Sequence, residues 1–207
     1  MSSANAQDKK TVLLALTGAS GMPYARRLLA FLLQQNITVW LLYSKAAQTV
    51  AMQECDWLLP AKPAEAEAVL TQEFGAQAEQ LRVFGKEDWF APPASGSNPP
   101  DAMVMCPASM GAVAAVAHGM ADNLIERAAD VCLKEKRPLL IVPREMPFST
   151  LHLRNLLQLS ECGATIIPPQ PAFYHHPQGI EDMIDFVVAR ILDHLHITHD
   201  LLPKWGA

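Results

Sequence analysis

Three short loops rich in small residues carry the first chemical signal in this sequence. Residues 17–21 spell T-G-A-S-G directly after an apolar run, and a second apolar run ends in Ser44-Lys45. Residues 106–111 spell C-P-A-S-M-G. A helical pattern follows each loop, and small residues at a helix N-terminus let backbone N–H groups approach a phosphate. One such loop is more often a turn with a serine cap, whereas three together favour a site for a phosphorylated cofactor.

The glycine spacing narrows the choice of cofactor. The first loop lacks the third glycine of G-x-G-x-x-G, and no acidic residue ends the second apolar run to hold a ribose. The sequence contains no G-x-x-x-x-G-K-[ST], which excludes P-loop chemistry. A mononucleotide such as FMN therefore fits these loops better than a dinucleotide.

A second group of candidate residues is charged. Arg127 and Lys134 are seven positions apart, which is two turns of a predicted helix, and so they share a face. Taken singly, each is more often a surface ion-pair partner. Arg144 and Glu145 follow an apolar run between two prolines, so that a rigid turn holds a cation and an acid in fixed directions. Glu54 lies alone at the end of a predicted helix, and its spacing indicates a solvated residue.

Strands that alternate with helices must position these residues. The pattern predicts strands at 11–17, 37–43, 102–106, 138–143 and 164–167. It predicts helices at 23–35, 45–54, 64–74, 109–118, 122–136, 150–161 and 179–194. This alternation is typical of a doubly wound α/β fold with a mostly parallel sheet, in which ligands bind at the carboxyl ends of the strands. We therefore expect one site to gather the loops at 17–22, 44–45, 107–111, 143–149 and 168–177.

Composition limits the class of protein. The 207 residues are half hydrophobic, and we expect a short flexible tail over 1–10 and a single domain over 11–207. A net charge of −5 without a long basic run excludes a nucleic-acid partner. The N-terminus lacks the apolar segment of a secretion signal, and no uncharged apolar stretch reaches the roughly 18 residues of a membrane span. The four cysteines form no Cys-x-x-Cys, which is typical of reduced thiols in a cytoplasmic protein.

Several motifs taken together resemble one family. They are T-G-A-S-G, S-K-A-A-Q, D-W-x-A-P-P-A-S-G-S, N-L-I-E-R-A-A-D-V-x-L-K-E-x-R-P-L, V-P-R-E-x-P-F-S and the C-terminal L-L-P-K-W-G. On these motifs, which extend over residues 11–206, the chain resembles the UbiX family of flavin prenyltransferases. The resemblance implies a Rossmann-type, flavodoxin-like flavoprotein subunit in a homo-dodecamer.

The same resemblance implies an activity. A dimethylallyl group would pass from dimethylallyl phosphate to N5 and C6 of reduced FMN, without a metal, and would close a fourth ring. The product, prenylated FMN, would serve a decarboxylase of the UbiD type, in bacteria often in ubiquinone biosynthesis. Physical grounds alone leave open whether the donor is the monophosphate or the diphosphate.

The resemblance also implies roles for individual residues. FMN would be bound by Gly18, Ala19, Ser20, Ser44, Ser109, Met110, Gly111, Ala112 and Arg144. The donor phosphate would be surrounded by Arg127, Lys134, Arg144, Glu145, Tyr174 and Arg190. The aromatic side chains near the prenyl group would be Trp89 and Trp205. Ser20 and Glu54 would handle protons near the flavin, and the catalytic set would be Ser20, Glu54, Lys134, Glu145 and Trp205.

Chemistry supports this division of roles. Cationic side chains offset the charge that grows on a leaving phosphate, and an acid such as Glu145 can protonate it. An aromatic face stabilises an allylic cation. The third loop departs from the family pattern, because Ala108 and Ala112 stand where many members carry polar side chains. Backbone N–H groups would then make the flavin contacts there.

Two further signals are given ordinary interpretations. The acids of E-D-x-x-D at 181–185 resemble a magnesium motif, but acids in the first turn of a helix also complement its dipole. The histidines at 194, 196 and 199 lie at the end of a helix, where i and i+2 side chains face apart. The family pattern assigns no role to His175 or His176.

Two other functions remain open from the sequence. A flavin-dependent cysteine decarboxylase has a related fold and binds FMN, although its P-x-M-N-x-x-M-W signature is missing here. A flavin carrier without catalysis would bind FMN and leave it unaltered. The converging ionisable residues argue against a carrier.

Overall fold

A parallel sheet organises the chain in the computed structural model, which describes residues 10–203 and 206. Within these residues its six strands are β1 (Thr11–Leu16), β2 (Thr38–Tyr43), β3 (Leu81–Val83), β4 (Ala102–Ala108), β5 (Leu139–Pro143) and β6 (Thr165–Ile166). They lie in the order β3-β2-β1-β4-β5-β6, and every neighbouring pair is parallel. The order reverses between β1 and β4, which is the place where doubly wound folds bind ligands. The predicted fold class is confirmed.

Helices cover both faces of the sheet. They are α1 (Met22–Gln34), α2 (Lys45–Cys55), α3 (Pro63–Phe74), α4 (Met110–Ala117), α5 (Leu124–Lys134), α6 (Thr150–Glu161) and α7 (Ile180–His194). The first three helices and α7 contribute to the core on one face, and α4, α5 and α6 contribute to the core on the other. Each predicted helix is confirmed, with its ends within two residues of the prediction.

The sequence of β1 shows why the central strands are apolar throughout. Val12, Leu14 and Leu16 belong to the core on one face, whereas Leu13 and Ala15 belong to the core on the other. Successive side chains of a strand point to opposite faces, and both faces of a parallel sheet are covered. A run without polar residues is therefore what this position requires.

The sequence analysis missed the edge strand β3. Its three residues pair with Val39 to Leu41 of β2, and Arg82 between two buried neighbours is exposed. Three residues carry too little pattern to predict a strand. The segment at 86–101 is largely irregular, as predicted, and contains one short 3₁₀ turn at Pro92–Ala94. The expected tail lies outside the described residues except for Lys10.

Among the described residues, no helix is long and apolar enough to cross a membrane.

Candidate active site

A crevice of about 240 Å³ opens at the carboxyl ends of β1, β2 and β4, where the strand order reverses. The three loops of small residues form much of its wall. They contribute Thr17, Gly18, Ser44, Ala46, Ser109, Gly111 and Ala112. The expected convergence of these three loops is confirmed, because parallel strands place their carboxyl ends at the same edge of the sheet.

Two serines of the crevice also cap helices. The hydroxyl oxygen of Ser44 accepts a hydrogen bond from the N–H of Ala47 at 3.1 Å, at the start of α2. The hydroxyl oxygen of Ser109 accepts one from the N–H of Ala112 at 3.3 Å, at the start of α4. The ordinary and the functional interpretations of these loops are therefore compatible. Both capped helices begin at the crevice, where their dipoles favour an anion.

The glycines of the crevice serve different purposes. A Cβ atom on Gly18 would lie 2.4 Å from the Cβ of Ala46, so that only glycine lets the first loop pack against the start of α2. A Cβ atom on Gly111 would meet nothing within 4 Å. Gly18 is therefore required by the protein itself, whereas Gly111 leaves open space beside the first turn of α4.

Thr17 ties the ends of β1 and β4 together. Its hydroxyl donates a hydrogen bond to the carbonyl of Pro107 at 2.9 Å and accepts one from the N–H of Ser109 at 2.7 Å. Its backbone N–H also donates to the carbonyl of Pro107, at 3.1 Å. The side chain is buried, and the two loops that flank the crevice are therefore held at a fixed separation.

Glu54 caps a helix other than its own. One carboxylate oxygen, Oε2, accepts hydrogen bonds from the N–H groups of Gly21 and Met22 at 2.9 Å each, at the start of α1. Burial raises the pKa of Glu54, but the hydrogen bonds from Ser20, Gly21 and Met22 outweigh it and hold the pKa below its usual value. The charge of Arg144 acts in the same direction. Glu54 is thus exposed, as its spacing indicated, and it also caps the start of α1, which the sequence interpretation missed.

The turn after β5 presents Arg144 and Glu145 at the carboxyl edge of the sheet. The N–H of Arg144 donates to the carbonyl of Ala108 at 3.1 Å, which ties this turn to the end of β4. Both side chains are exposed, and a carboxylate oxygen of Glu145 accepts a hydrogen bond from the N–H of Met146 at 3.2 Å. A cation and an acid thus lie on one short turn, as predicted.

Arg127 and Lys134, the charged residues predicted on α5, do not line the crevice. Arg127 donates through Nε to the carbonyl of Ala94 at 3.0 Å, and its NH1 pairs with Asp130 at 2.7 Å. Lys134 pairs with Glu135 at 2.5 Å. Lys134 ends α5 just before the amino end of β5, whereas Glu145 follows the carboxyl end of that strand.

The whole length of β5 therefore separates Lys134 from Glu145 along the chain. Five residues of strand extend over roughly 16 Å, at about 3.3 Å per residue. Arg137, which follows Lys134, lies 3.9 Å from Asp101, and Asp101 precedes the amino end of β4. Within one chain, Lys134 thus lies at the amino ends of the strands and Glu145 lies at their carboxyl ends.

A second cavity, of about 700 Å³, contains two more of the predicted residues, Tyr174 and Arg190. It lies between the 168–177 loop, α7 and the segment at 196–203. Tyr174 packs edge-on against Phe186, with 6.1 Å between the ring centroids. Within one chain the 168–177 loop lines this second cavity and not the crevice, so a single copy does not bring all five loops to one site.

The two predicted tryptophans differ in what the structure describes. Trp89 is exposed in the segment before the 3₁₀ turn. Trp205 lies outside the described residues, so its predicted role stays a prediction.

Four residues of the crevice wall were not predicted. They are Lys86, Asn123, Ile125 and Glu126. Asn123 caps α5 through its side-chain oxygen, which accepts hydrogen bonds from Ile125 and Glu126 at 3.1 and 3.3 Å. The N–H of Leu124 donates to the carbonyl of Lys86 at 2.8 Å and brings that segment to the crevice. The N-x-x-E spacing signals the start of a helix, but the approach of Lys86 is a tertiary contact without a local signal.

The acids of the E-D-x-x-D segment already have protein partners. Asp182 accepts a hydrogen bond from the N–H of Gln178 at 2.7 Å, beside the start of α7. Asp185 forms a two-pronged ion pair with Arg27, at 2.5 and 3.0 Å. In the part of the chain that the structure describes, no three His, Cys, Asp or Glu side chains are grouped to hold a metal ion.

The cysteine at the start of the third loop is not a nucleophile. Burial raises the pKa of Cys106 to about 12, so that its thiol is neutral at physiological pH. Burial likewise raises the pKa of Cys132 to about 12. Both behave as small apolar side chains of the core.

Comparisons with known proteins agree with this architecture. A parallel sheet with glycine- and serine-rich loops at its switch point defines a class of nucleotide-binding α/β protein, and the family model described as Flavoprotein matches residues 1–192. The flavin prenyltransferase UbiX of Pseudomonas aeruginosa is 59% identical over 195 residues, which cover 94% of this chain and 93% of that protein. The chain belongs to the UbiX family of flavin prenyltransferases.

Two solved structures support the same assignment. AnUbiX (PadA1), in complex with FMN and dimethylallyl pyrophosphate, is 37% identical with a TM-score of 0.85 and covers 96% of this chain and 98% of its own. The dodecameric FMN-dependent UbiX-like decarboxylase from Escherichia coli O157:H7 is 37% identical with a TM-score of 0.83. That likeness covers 95% of this chain and 100% of the other.

Proposed function

We propose that this protein is a flavin prenyltransferase, which transfers a dimethylallyl group from dimethylallyl phosphate to N5 and C6 of reduced FMN. The observation that carries the proposal is the crevice at the switch point, formed by three loops of small residues in a chain of this family. The family relatives are named for this activity, and one of them binds FMN and dimethylallyl pyrophosphate.

The crevice offers features suited to the phosphate of a flavin mononucleotide. Two helices begin there, and the first helical turn has backbone N–H groups without partners in its own helix, of which the serine caps accept only those of Ala47 and Ala112. We assign the flavin contacts to Gly18, Ala19, Ser20, Ser44, Ser109, Met110, Gly111, Ala112 and Arg144. The missing polar side chains at Ala108 and Ala112 do not weaken this assignment, because backbone N–H groups suffice to bind a phosphate.

Reduced FMN, as the prenyl acceptor, supplies the electron-rich N5 and C6. Glu54 and Ser20 are suited to receive the proton that C6 must lose when it forms a bond to carbon. The low pKa of Glu54 keeps it ionised at neutral pH, and the Ser20 hydroxyl donates a hydrogen bond to it. This pair therefore starts as a proton acceptor.

The donor phosphate requires cations that one chain does not bring together. Lys134 and Glu145 lie at opposite ends of β5, and Arg190 lies in the second cavity. We propose that neighbouring copies of the chain assemble this set with Arg127, Arg144 and Tyr174, in a homo-dodecamer like the Escherichia coli relative. The cations would offset charge on the leaving phosphate, and Glu145 would protonate it.

The remaining parts of the proposal concern the surroundings of the reaction. Trp89, exposed in this chain, and Trp205 would provide aromatic faces for the prenyl cation. Prenylated FMN would pass to a decarboxylase of the UbiD type, and the reaction would take place in the cytoplasm.

An anaerobic mass measurement tests the function. The purified protein is incubated with reduced FMN and dimethylallyl phosphate without added metal, and the extracted flavin is weighed by mass spectrometry. We expect a gain of one five-carbon prenyl unit, which Glu145→Gln slows strongly. Glu161→Gln, the same change at an exposed residue that ends α6, is the matched control and retains the activity.

The same measurement separates the alternatives. A flavin altered only with dimethylallyl diphosphate would change the donor and keep the function. Decarboxylation of a cysteinyl peptide with an unaltered flavin would identify a cysteine decarboxylase. A flavin that binds tightly and is never altered with either donor or peptide would identify a carrier.

A further inference from the structure

In the second cavity, Arg190 contacts Asp193, and Asp193 contacts His199. Arg190 and Asp193 both line this cavity and lie one helical turn apart near the end of α7. The guanidinium NH1 of Arg190 is 2.6 Å from Oδ2 of Asp193. About half of each side chain is exposed, at 52% and 46%. Exposed ion pairs of this kind contribute little to stability, so the effect of this pair is sought in the direction that it gives the guanidinium.

The other carboxylate oxygen of Asp193 has a partner of its own. Oδ1 of Asp193 lies 3.1 Å from Nε2 of His199, which also lines the cavity. A carboxylate has no hydrogen to donate, so the hydrogen of this bond belongs to Nε2. Only 10% of the His199 side chain is exposed, and its Nδ1 has no partner within the described residues. His199 is therefore a largely covered side chain that holds Asp193 through this hydrogen bond.

This arrangement determines the direction of the Arg190 side chain. An arginine side chain loses rotamer entropy when it is fixed, and a ligand must supply that free energy unless the protein does so beforehand. The contact with Asp193 occupies one of the five N–H donors of the guanidinium, and the group has further donors to offer a phosphate.

We propose that Asp193, anchored by His199, is a positioning residue that orients Arg190 toward the phosphate of the prenyl donor. The inference rests on the proposed function, in which Arg190 is one of the cations around that phosphate. Asp193 does not touch the donor, and it acts through Arg190.

Two physical effects of Asp193 oppose each other, and this makes the inference testable. Its negative charge reduces the attraction of Arg190 for an anion, whereas its hydrogen bond fixes the guanidinium in a binding direction. If orientation dominates, as we infer, removing the carboxylate weakens donor binding. If charge dominates, removing it strengthens binding and overturns the inference.

The test measures the dissociation constant of dimethylallyl phosphate for the FMN-loaded protein by calorimetry, together with kcat and KM. We expect Asp193→Asn to raise the dissociation constant and KM by about 10-fold, the equivalent of ~1.4 kcal/mol, with kcat within about twofold. Asp193→Glu restores a carboxylate and should recover part of the loss. An unchanged or lower dissociation constant for Asp193→Asn contradicts the inference.

A matched control separates positioning from the general loss of an ion pair. Glu73 pairs with Arg26 at 2.7 Å, also partly exposed, outside the second cavity. Glu73→Gln should leave donor binding unchanged. In the background of Arg190→Met, Asp193→Asn should add no further loss, because Asp193 acts through Arg190. An equal loss in both backgrounds overturns the inference.

His199 provides a second pair of variants should Asp193→Asn fail to fold. His199→Gln places an amide N–H about where Nε2 lies and should retain donor affinity, whereas His199→Phe should lose it. FMN binding reports folding independently, because the flavin crevice is built from other elements. Equal donor affinity for both His199 variants contradicts the inference.

The inference and the proposed function can fail separately. If the wild-type protein binds the donor and prenylates FMN while Asp193→Asn matches Glu73→Gln, the inference is wrong and the function stands. If the wild-type protein neither binds the donor nor alters FMN, both are wrong.

Discussion

The crevice and the second cavity are built by different means. Backbone, glycines, helix caps and the buried Thr17 form the crevice, and every one of these parts belongs to loops at one edge of the sheet. Side chains of α7, of the 168–177 loop and of the 196–203 segment line the second cavity, and the hydrogen-bonded set of Arg190, Asp193 and His199 lies among them. The topology therefore brings together the three loops of the first site, whereas the second site depends on contacts between individual side chains.

The difference shows what a parallel sheet does for a binding site. It gathers the backbone of successive loops, which suits a cofactor phosphate that needs N–H groups. A parallel sheet does not bring together long side chains on helices. Each helix runs back from the carboxyl end of one strand, so the last residues of the helix lie near the amino ends of the strands. Lys134 and Glu145 show this directly, since they lie on either side of β5.

The largest expected effect tests whether the charged set needs more than one chain. Lys134→Met and Glu145→Gln should each slow prenyl transfer by about 10²–10⁴-fold, because the first removes a cation beside the leaving phosphate and the second removes the acid that protonates it. Co-expression of the two variants should restore activity through mixed sites that contain one intact copy of each residue. The measurement is the rate of flavin mass gain in purified mixed oligomers.

A control co-expression tests whether activity can return without an intact Glu145. Glu145→Gln co-expressed with the double variant Lys134→Met/Glu145→Gln provides no intact Glu145 in any chain, and it should stay slow. If the first mixture stays equally slow, Lys134 and Glu145 of each site come from one chain. That result would contradict the proposal that neighbouring copies assemble the charged site.

A smaller effect tests whether backbone packing forms the crevice. Gly18→Ala places a methyl group 2.4 Å from the Cβ of Ala46, so that the first loop must move. We expect the free energy of unfolding to fall by about 1–3 kcal/mol, as in other overpacked sites, together with weaker FMN binding. Denaturant unfolding and flavin titration measure the two effects.

Gly111→Ala is the matched control for the stability effect. Its new methyl group meets nothing within 4 Å, and the residue lies in the first turn of α4. Its free energy of unfolding should be unchanged or slightly higher. A similar loss of stability at both glycines would show that the close approach at Gly18 is not the cause.

The smallest effect concerns the cap that Glu54 provides. The pKa of Glu54 is lowered in the folded protein, so ionised Glu54 stabilises the fold above its unfolded pKa and loses this effect as pH falls through its folded pKa. Glu54→Gln should therefore cost about 1 kcal/mol at neutral pH and progressively less in acid, below about pH 4. Unfolding curves of both proteins at several pH values measure the difference.

Glu161→Gln, an exposed change without a cap, should show no such pH-dependent difference. A constant difference between wild type and Glu54→Gln at all pH values would show that the charge of the cap is irrelevant.

The sequence predicts the fold and the crevice well for physical reasons. Strands such as β1 are apolar throughout because both faces are buried, and helices such as α6 begin at a serine that caps them. These signals are local, and they locate the loops at the switch point. The glycine at position 18 and the serines at 44 and 109 follow from the same local pattern.

The sequence fails where one element completes another. Glu54 caps α1 from the end of α2, and Lys86 reaches the crevice through the start of α5. The hydrogen bond between Asp193 and His199 is likewise invisible in a helix pattern, because it joins α7 to the segment that follows. Such contacts depend on how elements pack, and local periodicity carries no information about packing.

The hydroxyl of Thr17 has a further consequence for how the flavin enters. Because it fastens the ends of β1 and β4 by hydrogen bonds within the protein, the separation of these two ends does not depend on a bound flavin. Association then requires little ordering of the chain, and most of the binding free energy is retained as affinity. We therefore expect release of a modified flavin to involve other parts of the crevice wall than the contact between β1 and β4.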